Sequence, residues 1–72
     1  MSIFTERLKN CRKSKTTQKT MAKYLGVSER AYQHYEAGTR EPNFALTIAI
    51  ADYFNVSVDY LLGRTDNPEI NK

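Results

Sequence analysis

The chain has 72 residues, 40% of them hydrophobic and 26% charged. That is an ordinary globular balance for one small domain, which hides only about 60% of the surface its unfolded chain exposes and has no room for a large catalytic cleft. No apolar run approaches the ~18 residues that span a bilayer, the first seven residues lack the long apolar stretch of a secretory signal, and a single cysteine, Cys11, excludes an internal disulfide or a thiolate metal cluster and suits a reducing cytoplasm. The net charge of +3 divides unevenly: residues 1–40 hold nine Lys/Arg against three Glu, whereas residues 41–72 hold two against five acids. Such polarity fits a phosphate-facing side and equally fits clustering on a solvated surface.

No stretch alternates as a strand does, and helical spacing recurs instead. Phe4, Leu8 and Cys11 fall at i, i+4, i+7 and predict a first helix over 3–13, with Cys11 as a small core side chain. Thr17 is placed to cap a second helix that turns Met21, Ala22 and Leu25 inward and stops at Gly26. Ser28 caps a third helix, Glu29 to Ala37, ended by Gly38. Pro42 bars helix interior, and Asn43 then caps a fourth helix through Phe54, whose stripe reads Phe44, Ile48 and Ala51, widened by Leu46, Ile50, Tyr53 and Phe54. Ser57 caps a short fifth helix, Val58 to Leu62, closed by Gly63. The expected organisation is an all-α, five-helix domain over 1–65 and a polar, mobile tail over 66–72.

The informative stretch runs from Gln18 to Ala37. Two helices are joined by Gly26-Val27-Ser28; Ala22 is small where they cross, Gly26 makes the sharp turn, and Val27 plugs the corner. Those are the physical requirements of a helix-turn-helix. The second helix of the pair is then held by Tyr32 and Tyr35, and its outer face is free.

At this point the sequence resembles the lambda-repressor-like regulators, the family of phage Cro and repressor DNA-binding domains. The matching residues are Arg7-Leu8-Lys9, Thr17-Gln18, Met21-Ala22, Leu25-Gly26-Val27-Ser28, Tyr35-Glu36-Ala37-Gly38, Arg40-Glu41-Pro42, Ile48-Ala49, Ala51-Asp52-Tyr53-Phe54 and the run Val56 to Gly63. The likeness covers about residues 3–65. The chain departs from the pattern in three places: the turn Ser14-Lys15-Thr16 is one residue short and lacks Gly, Tyr32 stands where Ile or Val is usual, and Lys19-Thr20 replace frequent acids.

The resemblance implies a sequence-specific double-stranded DNA-binding transcription regulator, a repressor, with a recognition helix over 28–37 in the major groove. It assigns base contacts to Glu29, Arg30, Gln33 and His34. Arg30 suits guanine N7 and O6, and Gln33 suits adenine. Glu29 could accept from cytosine or simply complement the helix dipole, and His34 could be an ordinary surface residue. Phosphate contacts fall to Gln18, Lys19, Ser28, Arg40 and Asn43; Lys9, Lys13, Lys15 and Lys23 are less specific. Arg12 and Glu36 match a buried ion pair between the first and third helices.

One recognition helix reads too few base pairs to find a site in a genome, so a homodimer on a pseudo-palindromic operator is expected. Its contact is expected at the corner of the fourth and fifth helices, through Val56, Val58 and Leu61, with core packing as the alternative reading. The rival function is a helical protein-interaction module such as an antitoxin or antirepressor, which would show apolar anchors on the outer face of the third helix. One His, one Cys and scattered carboxylates form no nucleophile-base pair and no metal set, so no enzyme activity, cofactor or metal is expected.

Overall fold

The computed structural model describes residues 2–70; of the expected tail, residues 71 and 72 lie outside the described residues. Five helices follow in order: α1 (Ile3–Lys15), α2 (Gln18–Leu25), α3 (Glu29–Ala37), α4 (Phe44–Phe54) and α5 (Val58–Leu61). No strand occurs among the described residues. Each helix opens on a side chain that accepts from a first-turn N–H: Ser2 from Thr5, Thr17 from Thr20, Ser28 from Ala31, Asn43 from Leu46 and Ser57 from Tyr60. Such a cap is worth ~1 kcal/mol, a large help to helices this short.

α1 runs two residues beyond the expected end at Lys13. Ser14 stays helical because its hydroxyl donates back to the Cys11 carbonyl, 3.0 Å away. The chain then leaves α1 through Thr16, which is extended (φ −160°, ψ −173°), and re-enters a helix at once on the Thr17 cap. A two-residue extended joint needs no left-handed residue, which is why this turn does without Gly. At the other end α5 stops at Leu61, with Leu62 as its cap rather than its last turn.

The core gathers Leu8, Met21, Ala22, Tyr32, Tyr35, Ile50, Ala51, Phe54 and Leu61, one or more from every helix. The stripe of α4 is a correction: Thr47, Ile50, Ala51 and Phe54 face inward, whereas Phe44 is 91% and Ile48 52% exposed. α4 is apolar on nearly every side, so hydropathy could not fix its rotation. Thr47 is cheap to bury because its hydroxyl donates to the Asn43 carbonyl at 2.9 Å.

A second correction concerns Leu61, expected at a pairing surface. It is fully buried in the core and has no surface to offer a partner. Val56 and Val58 are half-buried against the same core. Residues of the expected tail lie beside them: the Pro68 carbonyl accepts from the Ser57 N–H at 2.9 Å, and Ile70 joins Val56 and Val58 in lining a shallow cleft of about 260 Å³. Arg7, counted in the sequence only as a cation and a motif residue, fastens this region. Its guanidinium donates to the Tyr60 and Thr65 carbonyls, pairs with Asp66 at 2.8 Å and stacks 4.1 Å from the Tyr60 ring. Among the described residues no helix is long and apolar enough to cross a membrane.

Candidate nucleic-acid interface

α2 and α3 are set against each other by the residues that the sequence singles out. Gly26 takes the left-handed conformation (φ 72°), and the Val27 N–H bonds the Ala22 carbonyl at 3.0 Å, so the chain turns within three residues. Ala22 and Met21 are buried under Tyr32 and Tyr35, whose rings meet edge to face at 6.4 Å. α3 is thereby gripped on one side, while Glu29, Arg30, Gln33 and Ala37 are exposed on the other. None of the exposed large hydrophobic side chains lies on α3.

A polar network locks that orientation. Arg12 on α1 reaches Glu36 on α3 with two parallel bonds, 2.8 and 3.0 Å, and the two side chains are only 15% and 4% exposed. The bidentate geometry and low exposure make this a strong pair. Gln18 at the start of α2 donates at 3.0 Å to Glu36 Oε1, the oxygen that also accepts from Arg12 Nη2, and Gln33 Nε2 donates to the Gln18 side-chain oxygen Oε1 at 3.5 Å. Burial pushes the Glu36 carboxyl up, but the bonds from Arg12 and Gln18 and the nearby Tyr32 hydroxyl outweigh it and hold it below its ordinary range. The same contact raises the Arg12 guanidinium still further. Tyr32 is fully buried; its hydroxyl faces this pair closely enough to feel both charges but meets no partner in hydrogen-bond geometry, and burial above all pushes its pKa up. Cys11, half-buried beside α1's cations, is also pushed up by burial and is held as the thiol.

The expected site residues separate into two groups. Gln18, Gln33 and Glu36 are brought together with Arg12, so the Gln18 side chain points at Glu36, not outward. His34 shares a 2.7 Å hydrogen bond between its Nδ1 and Thr39, which leaves Nε2 for an outside partner. Ser28 and Asn43 cap α3 and α4. Glu29, Arg30, Lys19 and Arg40 are exposed. The contacts of Gln18 and Thr39 had no signal in the sequence, because they join residues whose meeting depends on the tertiary crossing of α2 and α3 and on the turn after Gly38.

The helix-turn-helix family profile matches residues 8–61. The chain belongs to the lambda-repressor-like helix-turn-helix family. Among related proteins, this helix-turn-helix chain is 45% identical to the uncharacterized HTH-type transcriptional regulator YqaE of Bacillus subtilis over 69 residues, 94% of this chain and 60% of that protein. It is 42% identical to the cryptic phage CTXphi transcriptional repressor RstR of Vibrio cholerae over 60 residues, 82% of this chain and 54% of that one. Against the HTH-type transcriptional regulator ImmR of Bacillus subtilis the identity is 34% over 68 residues, 93% of this chain and 54% of ImmR. The chain thus spans somewhat over half the length of these relatives. No solved structure matches it.

Proposed function

We propose that this protein is a sequence-specific double-stranded DNA-binding transcription regulator, a repressor, whose residues 1–65 form the DNA-binding domain and whose recognition helix, 28–37, enters the major groove. The observation that carries this reading is the outer face of α3. It presents Glu29, Arg30 and Gln33 to solvent with no apolar anchor, while its inner face is fixed to α1 by the Arg12–Glu36 pair and to α2 by the Gln18–Glu36 hydrogen bond. A face built for a protein groove would carry apolar anchors instead. The relatives named as transcriptional regulators, and RstR named as a repressor, support the same reading.

Arg30 reads guanine and Gln33 reads adenine through major-groove acceptors and donors. His34 offers Nε2 to a base or phosphate, and Glu29 accepts from a cytosine amino group or complements the dipole of α3. Lys19, Ser28, Arg40 and Asn43 hold phosphates. Gln18 contributes through the N-terminal N–H groups of α2, since its side chain is engaged with Glu36.

The test is selection of sites from random duplex DNA, followed by titration of the winner. Arg30→Ala should cost ~1–3 kcal/mol at one base pair and relax the preference there, whereas Lys19→Ala should weaken all sequences alike. Equal losses for both variants on selected and scrambled duplexes would overturn base reading by Arg30. Enrichment of no duplex at all would overturn the DNA-binding reading.

A further inference from the structure

We propose that a second copy of this chain docks on the outer ridge of α4, antiparallel and across a two-fold axis beside Ile48. The ridge is Phe44, Ile48 and Asp52, spaced i, i+4, i+8, the kind of row by which helices most often pack. Phe44 is 91% and Ile48 52% exposed, and Ala45 and Ala49 flank them with little bulk. An apolar ridge of this kind on a small soluble domain marks an interaction surface.

The charges of α4 say what covers it. Its first turn carries no acid and its last turn no base. Asp52 instead sits in the last turn, where the carbonyl end of the helix dipole repels it, and it is exposed with no ion-pair partner among the described residues. An antiparallel copy corrects both ends at once. It brings the N-terminal end of one α4, where the helix dipole is positive and no acid sits, beside Asp52 at the C-terminal end of the other. Two-fold symmetry then makes each contact twice.

The corner expected from the sequence is less able to do this. Leu61 is in the core, and Ile70 and Pro68 of the same chain already lie against Val56, Ser57 and Val58. Phe44 and Ile48 of both copies would bury on the order of 500 Å². With the flanking residues the contact reaches the small end of specific interfaces, below ~1,200 Å². Pairing is therefore weak in free solution and strengthened when a duplex holds two copies side by side. Its purpose rests on the DNA-binding reading above, but its test does not.

Sedimentation equilibrium is measured for the unaltered chain, Ile48→Glu, Asp52→Arg and Val58→Glu, with circular dichroism melts to show that each is folded. The two ridge variants should dimerise at least tenfold more weakly, and Val58→Glu should pair like the unaltered chain. In a Cys11→Ser background, Ile48→Cys should cross-link two copies on oxidation and Val58→Cys should not. On selected DNA, Ile48→Glu should bind a half-site normally and lose cooperativity on the palindrome. The proposal is overturned by unchanged association of Ile48→Glu, by loss confined to Val58→Glu, or by an unaltered chain that stays monomeric at millimolar concentration and on the palindrome. If the unaltered chain binds no duplex, the DNA reading fails by itself, and sedimentation and cross-linking still decide the pairing.

Discussion

Glu36 is the residue on which most of the site converges, and its titration is a stability statement. Burial works against its charge, but Arg12 and Gln18 hold the folded carboxyl below the ordinary glutamate value of ~4.3. Because the folded pKa is the lower one, the stabilisation is complete above ~4.3 and is lost as pH falls through the folded value. Urea unfolding followed from about pH 6 to about pH 3 should therefore show a loss of stability that Glu36→Gln partly flattens; an identical acid slope in the variant would mean that Glu36 is not held in this way. Removing Arg12 alone strands a buried carboxylate and should cost ~3–5 kcal/mol, and the double variant Arg12→Ala with Glu36→Ala should be milder than the sum. Additive losses would show the two to be uncoupled. Tyr32 is a weaker part of the same cluster. Its buried hydroxyl faces Glu36 without hydrogen-bond geometry, so what it gives the carboxylate and what its own burial costs nearly offset, and Tyr32→Phe should change the unfolding free energy by less than ~1 kcal/mol. A larger loss of stability in that variant would show that the hydroxyl is bonded after all.

At the scale of the helices, the stops matter as much as the starts. Gly26 and Gly63 both have positive φ, 72° and 81°, but a Cβ at Gly26 meets open space whereas one at Gly63 comes 2.9 Å from Ile3 Cγ2. Gly26→Ala should thus lose only the left-handed strain, ~1–2 kcal/mol, and Gly63→Ala should lose more, with the excess relieved by Ile3→Ala. Equal thermal shifts for the two glycine variants would refute the close approach of α1 to the end of α5. The caps and stops were legible in the sequence because each depends on one residue's own side chain or φ: Thr17, Ser28, Asn43, Ser57, Gly26 and Gly38 act where they were expected. The rotation of α4 was not legible, because Phe44, Ile48, Ile50 and Phe54 are equally apolar and only packing chooses among them. Nor was the end of α1, where the Ser14 back-bond to Cys11 decides against a turn. The candidate site was readable as a face of α3. The commitment of Gln18 to Glu36 depends on tertiary geometry that periodicity does not carry.

For the whole molecule the useful quantity is the charge that remains after internal pairing. The N-terminal half carries nine Lys/Arg, but Arg12 is matched by Glu36 and Arg7 is turned onto the Tyr60 and Thr65 carbonyls and Asp66. Asp66 is fully exposed, so that ion pair is weak and the two carbonyl bonds are the firmer part of the clamp. Lys19 and Arg40 are exposed and stand near the ends of α2 and α3, where phosphates would pass. The distinction is measurable through counterion release. Each phosphate neutralised adds about −0.9 to the slope of log K against log salt. Fluorescence anisotropy of a selected duplex, titrated from about 50 to about 200 mM salt, should give slopes reduced by ~1 for Lys19→Ala and for Arg40→Ala. Arg7→Ala should keep the parent slope and instead lower the unfolding midpoint, because its charge is spent inside the molecule, on the end of α5. A reduced salt slope for Arg7→Ala with an unchanged melt would place Arg7 against the DNA backbone and dissolve the clamp.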